Sequence, residues 1–153
     1  MVVGMFFFYF VLYLKIVVIM GEKRNWLSKT VFPSKESTIF SIETGDVEYG
    51  EGGAHKYGFI NCFGFNPETK NAVYTANYQT ISFVQKLSDG EMSEGVQSEQ
   101  LLICLIDRHK KLNAKFPSRE GSLAITKMEE ALFWLEARVK ERMDRDVMGE
   151  LKK

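Results

Sequence analysis

Residues 116–145 read FPSREGSLAITKMEEALFWLEARVKERMDR, and this stretch decides the fold. Pro117 followed by Ser118 predicts a helix start. A serine hydroxyl can accept a hydrogen bond from a free amide of the first turn, and Glu120 suits the positive end of the helix. Ile125, Met128, Leu132, Leu135 and Val139 recur at alternating steps of three and four, which places all five on one face. A second row, Ala124, Met128, Ala131 and Leu135, continues at the same spacing into Arg138 and Arg142. Its two alanines would let another helix come close, and its two arginines lie one turn apart. A guanidinium beside a packing seam suits a phosphate. The same residues also suit a solvated helix end. Arg138, Arg142 and Arg145 are interspersed with Glu136, Glu141, Asp144 and Asp146, and Glu136–Lys140 and Glu141–Arg145 are favourable pairs at i,i+4. Spacing alone supports both readings.

Working outward, Ser98 predicts the cap of a preceding helix over 99–113. Leu101, Leu102, Leu105, Ile106, His109 and Leu112 form its apolar stripe. The connection over 114–117 is short, so the two helices should pack as an antiparallel hairpin. A lone hairpin cannot bury both stripes completely, which predicts an oligomer.

Before the hairpin, Tyr57, Phe59, Asn61, Phe63 and Phe65 alternate with Gly58, Ile60, Cys62 and Gly64, the period of a strand. The run FNPETKN, 65–71, reads as a turn opened by Asn-Pro. Residues 72–76 and 78–83 supply one or two returning strands. The expected fold class is therefore α+β: a small antiparallel β meander followed by an antiparallel two-helix hairpin, oligomeric. In domain terms, 1–20 form an apolar leader, 21–56 a weakly patterned and poorly structured segment, and 57–96 the meander with the loop LSDGEMSEGV. The hairpin occupies 97–147, and 148–153 form a tail. A further short strand is expected at Ser37–Ile42.

The leader, MVVGMFFFYFVLYLKIVVIM, contains a single charge, Lys15, and is long enough to cross a bilayer. Lys23 and Arg24 follow it, which would keep the bulk of the chain in the cytoplasm. It is read either as a transmembrane anchor over 2–19 or as a mis-assigned start ahead of Met20. The whole chain of 153 residues balances twenty basic against twenty acidic residues, so no DNA or RNA partner is expected. Two cysteines far apart in apolar surroundings, Cys62 and Cys104, are expected to be reduced and buried.

Catalytic signatures are missing from the sequence. It contains no phosphate loop with Lys-Ser/Thr, no HExxH and no cysteine–histidine metal spacing. His109 and Asp107 share a helix, but no serine or cysteine is placed to complete a triad with them. Neither an enzyme nor a cofactor is expected.

The stretch from Phe116 resembles the helical hairpin shared by two phage anti-defence families. These are the type-two inhibitors of cyclic-oligonucleotide-based anti-phage signalling (CBASS) and the type-one Thoeris anti-defence proteins. The matching residues are Ser118-Arg119-Glu120, Ala124-Ile125-Thr126-Lys127, Glu130-Ala131-Leu132, Trp134-Leu135, Arg138 and Arg142, with LLICLIDR, 101–108, as the first hairpin helix. GAHKYGF and YQTISF resemble the N-terminal strands of the Thoeris group. Gly121 stands where the family's R-E-N motif has asparagine, and Val139 where it has threonine. The family's G-P-I and G-V-N-G loop elements are absent. The resemblance implies a sponge that binds cyclic di- or trinucleotides, or cyclic ADP-ribose isomers, and withholds them without chemistry. It implies a homo-oligomer, a dimer or a hexamer, in the cytoplasm of an infected bacterial host, with membrane attachment only if 2–19 are an anchor. On that basis Arg138 and Arg142 are the expected phosphate ligands, followed by Arg119 and Phe116 at the hairpin turn, then Thr126 and Lys127. A structural, oligomerising protein and a messenger-degrading enzyme are the alternatives.

Overall fold

The computed structural model describes residues 24–32, 36–43, 55–87 and 90–146; the leader and the tail lie outside them. The chain falls into two compact units, one ending at Met92 and the other beginning at Ser93.

The first unit is a four-stranded antiparallel sheet in the order β1 (Arg24–Trp26), β2 (Ile39–Ile42), β3 (Lys56–Asn66) and β4 (Asn71–Ser82). The alternating run became β3, and the return is one strand of twelve residues. Asn66 builds the connecting turn as its sequence suggested, with its side-chain oxygen accepting from the amides of Glu68 and Thr69 at 2.9 and 3.1 Å.

Within 21–56, a segment read as weakly patterned, the described residues carry β1 and β2 and the centre of the sheet's core. Phe40 and Ile42 are its fully buried side chains among the described residues. The Phe40 ring lies over Gly58, where a β-carbon would collide with it, and meets Trp26 and Tyr78 edge-on at 4.9 and 5.4 Å. The Arg24 guanidinium lies 4.9 Å from the Phe40 centroid and 4.7 Å from that of Tyr78, and donates to the Tyr78 hydroxyl at 2.9 Å. β2 falls within the short strand expected at Ser37–Ile42, whereas β1, of three residues, is too short to display a period and was not foreseen.

β2 pairs with β3 at Tyr57–Phe59, and the Ile60 amide donates to the Thr38 carbonyl at 2.9 Å. Beyond that the β3–β4 arm is two-stranded, with register shifts on either side of Cys62. Cys62 is exposed there, and Cys104 is exposed on the first helix; both thiols are free. The expectation of buried cysteines is therefore corrected. The irregular ladder turns Cys62 out, and Cys104 sits away from the face that packs on the second helix.

A short two-stranded ladder, β5 (Gln85–Lys86) with β6 (Met92–Ser93), precedes the helices. The second unit is the hairpin of α1 (Ser98–Lys115) and α2 (Arg119–Asp144). α1 begins one residue earlier than expected, and its N-cap is Gln97 rather than Ser98. The Gln97 amide donates to the Gln100 side chain at 2.8 Å, half of a reciprocal capping arrangement. Ser118 caps α2 as expected, its Oγ accepting from the Gly121 amide at 2.9 Å. Ile125 is buried, and Met128, Leu132, Leu135 and Val139 are half-buried. Facing them, α1 turns in Leu102, Ile106 and His109, while Leu105 and Leu112 stay exposed. One neighbouring helix covers only part of a helix surface, so α1 is left with apolar side chains outside the seam.

Candidate ligand-binding surface of the helical hairpin

α2 holds or borders every residue expected at the site. The structure separates them into two ends. Phe116 and Arg119 lie at the turn between the helices, with Phe116 75% exposed and Arg119 exposed. Arg138 and Arg142 lie toward the other end of α2. Nineteen residues of helix separate Arg119 from Arg138, or about 28 Å at 1.5 Å per residue. The two ends are therefore far apart along one chain.

The two arginines also differ from each other. Arg138 is exposed, and among the described residues it forms no ion pair. Arg142 continues the seam one turn beyond Val139, is half-buried, and is already engaged within the chain. Of the two, Arg138 is thus the one whose donors are uncommitted among the described residues, and Arg142 flanks it from the packed side.

Thr126 and Lys127 are occupied locally. The Thr126 hydroxyl donates to the Ser122 carbonyl one turn back at 3.1 Å. Lys127 pairs with Glu130 at 2.7 Å, and that hydrogen bond, followed by the carboxylate's charge, holds the ammonium above its ordinary value of 10.5. The lysine stays charged, but its charge is largely answered on its own helix.

The turn is built around Asn113. Its Oδ1 accepts from the Ser118 amide at 3.0 Å, and its Nδ2 donates to Ser122 Oγ at 3.1 Å. A β-carbon on Gly121 would lie 2.6 Å from that Oδ1, so the carboxamide from α1 fills the space a side chain at 121 would take. Lys110 and Glu129 add a cross-helix ion pair at 2.6 Å. Sequence reasoning missed Asn113, because a lone asparagine near a helix end carries no periodic signal.

It also passed over Trp134 as a site residue. The indole is 64% exposed, and Phe133, 60% exposed, meets it edge-on at 5.4 Å. Elsewhere, a groove at the tip of the β3–β4 arm is lined by Phe63, Phe65, Pro67, Glu68 and Val73. With a carboxylate and no cation, it is a poor seat for a phosphate. Among the described residues no group of acidic, cysteine or histidine side chains could hold a metal ion, and no helix is long and apolar enough to cross a membrane.

Residues 76–140 match the Acb2/Tad1 hairpin domain. That span includes Arg119, Trp134 and Arg138 and stops two residues short of Arg142. The chain is similar to Thoeris anti-defense 1 of Bacillus phage SBSphiJ7, with 34% identity over 104 residues. The aligned stretch covers 67% of this chain and 66% of that protein, a little less than two thirds of the relative's length.

Proposed function

We propose that this chain, which belongs to the Acb2/Tad1 hairpin family, is a phage-type anti-defence sponge. It binds a cyclic nucleotide immune messenger in the cytoplasm of the infected bacterium and withholds it without cleaving it. The observation that carries this reading is the match of residues 76–140 to the hairpin domain, within which Arg138 is exposed and has no ion-pair partner among the described residues. Guanidinium donors in a fork suit the phosphates of a cyclic di- or trinucleotide or of a cyclic ADP-ribose isomer. The similarity to a Thoeris anti-defence protein points to the same class of role.

Arg138 and Arg142 hold phosphate in this reading. Phe116 and Arg119, the latter about 28 Å from Arg138 by helical rise, act either on a second part of the ligand in a homo-oligomer or at a second site. Thr126 and Lys127 lie between and contribute less. Assembly as a dimer or a hexamer would juxtapose the two ends from different copies and cover Leu105 and Leu112. Those exposed apolar residues are also what a purely structural, oligomerising protein would show.

One experiment separates the classes. The full chain is titrated with cyclic di-AMP, cyclic tri-AMP and cyclic ADP-ribose, and any complex is then heat-denatured and its nucleotide analysed. Intact messenger supports sequestration, a converted product makes the protein an enzyme, and no binding leaves the structural reading.

A further inference from the structure

The geometry points to Trp134 as a stacking platform of the same site, on which a nucleobase lies while Arg138, one turn further on, holds the adjoining phosphate. This deepens the sponge reading and rests on it. A tryptophan side chain carries a large apolar surface that is ordinarily well covered, yet here 64% of it is exposed. Phe133 braces it, with ring centroids 5.4 Å apart and planes at 73°. An edge-to-face neighbour of this kind restricts the orientation of the indole without a parallel ring occupying the stacking position.

Arg138 follows Trp134 by four residues, which advances it by about 40° around the helix and roughly 6 Å along it. The two side chains therefore emerge from one flank of α2. Both are exposed, and Arg138 forms no ion pair among the described residues. Ala131, one turn before Trp134 on the same flank and also exposed, raises no wall beside it. A flat apolar surface next to an uncommitted guanidinium matches one nucleotide unit, whose base and phosphate are joined through a sugar. An apolar partner would cover the indole but leave the neighbouring charge uncompensated. A free phosphate would answer the charge and leave the indole bare. A nucleotide satisfies both.

The test uses the full chain with Trp26→Phe, which leaves Trp134 as its one indole, and the probes cyclic di-AMP, cyclic tri-AMP and cyclic ADP-ribose. Binding should quench the Trp134 fluorescence. Trp134→Ala in the parent chain should weaken the bound probe roughly 5- to 100-fold, the range for loss of a base–aromatic stack. Trp134→Phe, which keeps a flat ring, should restore most of the affinity, and all variants should sediment as the parent does. Parent affinity in Trp134→Ala, or a silent indole while a probe binds, overturns the platform and leaves the sponge standing. A changed sedimentation of Trp134→Ala with no quenching in the parent makes Trp134 an assembly residue and also overturns it. Failure of the parent to bind any of the three probes overturns the sponge and the platform together.

Discussion

The side-chain oxygen of Asn113 stands 2.6 Å from where a β-carbon on Gly121 would be, so these two residues, on different helices, fit only as a pair. The same oxygen accepts from the Ser118 amide at 3.0 Å, which ties the loop to the first turn of α2. Gly121 has no unusual backbone to excuse it, since Gly90 is the glycine with positive φ among the described residues. Alanine at a helical glycine ordinarily gains roughly 0.5–1 kcal/mol. Here it displaces Asn113 and crowds Ser118 Oγ, and each hydrogen bond lost costs about 1 kcal/mol. Gly121→Ala should therefore destabilise the hairpin by about 1 kcal/mol, whereas in an Asn113→Ala background it should become mildly stabilising. Urea unfolding of the four proteins reads the sign change; the same sign in both backgrounds would disprove the pairing.

A similar contact sets a limit in the sheet. A β-carbon at Gly58 would enter the ring of Phe40, which is fully buried and has no free side to move into. Gly58→Ala should destabilise the first unit by about 1–3 kcal/mol, the usual range for overpacking. Gly64→Ala, where a β-carbon meets nothing within 4 Å, is the matched control and should leave the melting temperature nearly unchanged. Equal melting of the two variants would show that the ring is not held where it is described.

The two arginines should not behave alike. Arg138→Ala should weaken messenger binding by about ten- to a hundredfold, the loss of one charge-assisted hydrogen bond of roughly 1.5–3 kcal/mol. Its effect on melting should be slight, since the side chain is exposed and forms no ion pair among the described residues and alanine favours helix. Arg142→Ala should lower the melting temperature more, because the residue is half-buried and engaged. Lysine at 138 should rescue only in part, as it keeps the charge and loses the fork. Calorimetric titration with the probe that the parent binds measures the first effect, and unaltered affinity in both alanine variants would remove the pair from the site.

Ala131 lies exposed on the row that runs into Arg138 and Arg142, so Ala131→Glu should leave a folded hairpin with near-native helicity. In an assembly built on that row the new carboxylate would be buried without a partner, at a cost of order 3–5 kcal/mol, and association should fail. Light scattering should then show an oligomer for the parent and a smaller species for the variant. A monomeric parent would end the idea that a second copy covers the surplus apolar surface.

The pairing of Lys127 with Glu130 carries a pH signature. A raised lysine pKa means that the folded state holds the proton more tightly, so this contribution is complete below 10.5 and fades as pH climbs through the raised value. Lys127→Met should therefore have its largest effect on melting near neutral pH and none well above 10.5. Because the pair is fully in solvent, the difference should be small and should shrink further in salt.

Much of the hairpin was legible in the sequence because its determinants are local. The cap at Ser118, the stripe from Ile125 to Val139 and the Asn66 turn each involve residues within a few positions of one another, and backbone geometry converts such spacings directly into faces and turns. The alternation of β3 was readable for the same reason. Tertiary structure alone decided the rest. Arg24 reaches Tyr78 across 54 positions, and nothing local to the strand expected at 37–42 shows that its Phe40 and Ile42 are the fully buried side chains. Only the packed hairpin shows why residue 121 is glycine, since the reason is an oxygen on the other helix. Periodicity placed Arg138 and Arg142 in one row, but solvent and neighbouring side chains set them apart, one exposed and one half-buried. Burial is a property of what lies opposite a side chain, and the sequence around a residue does not contain its opposite.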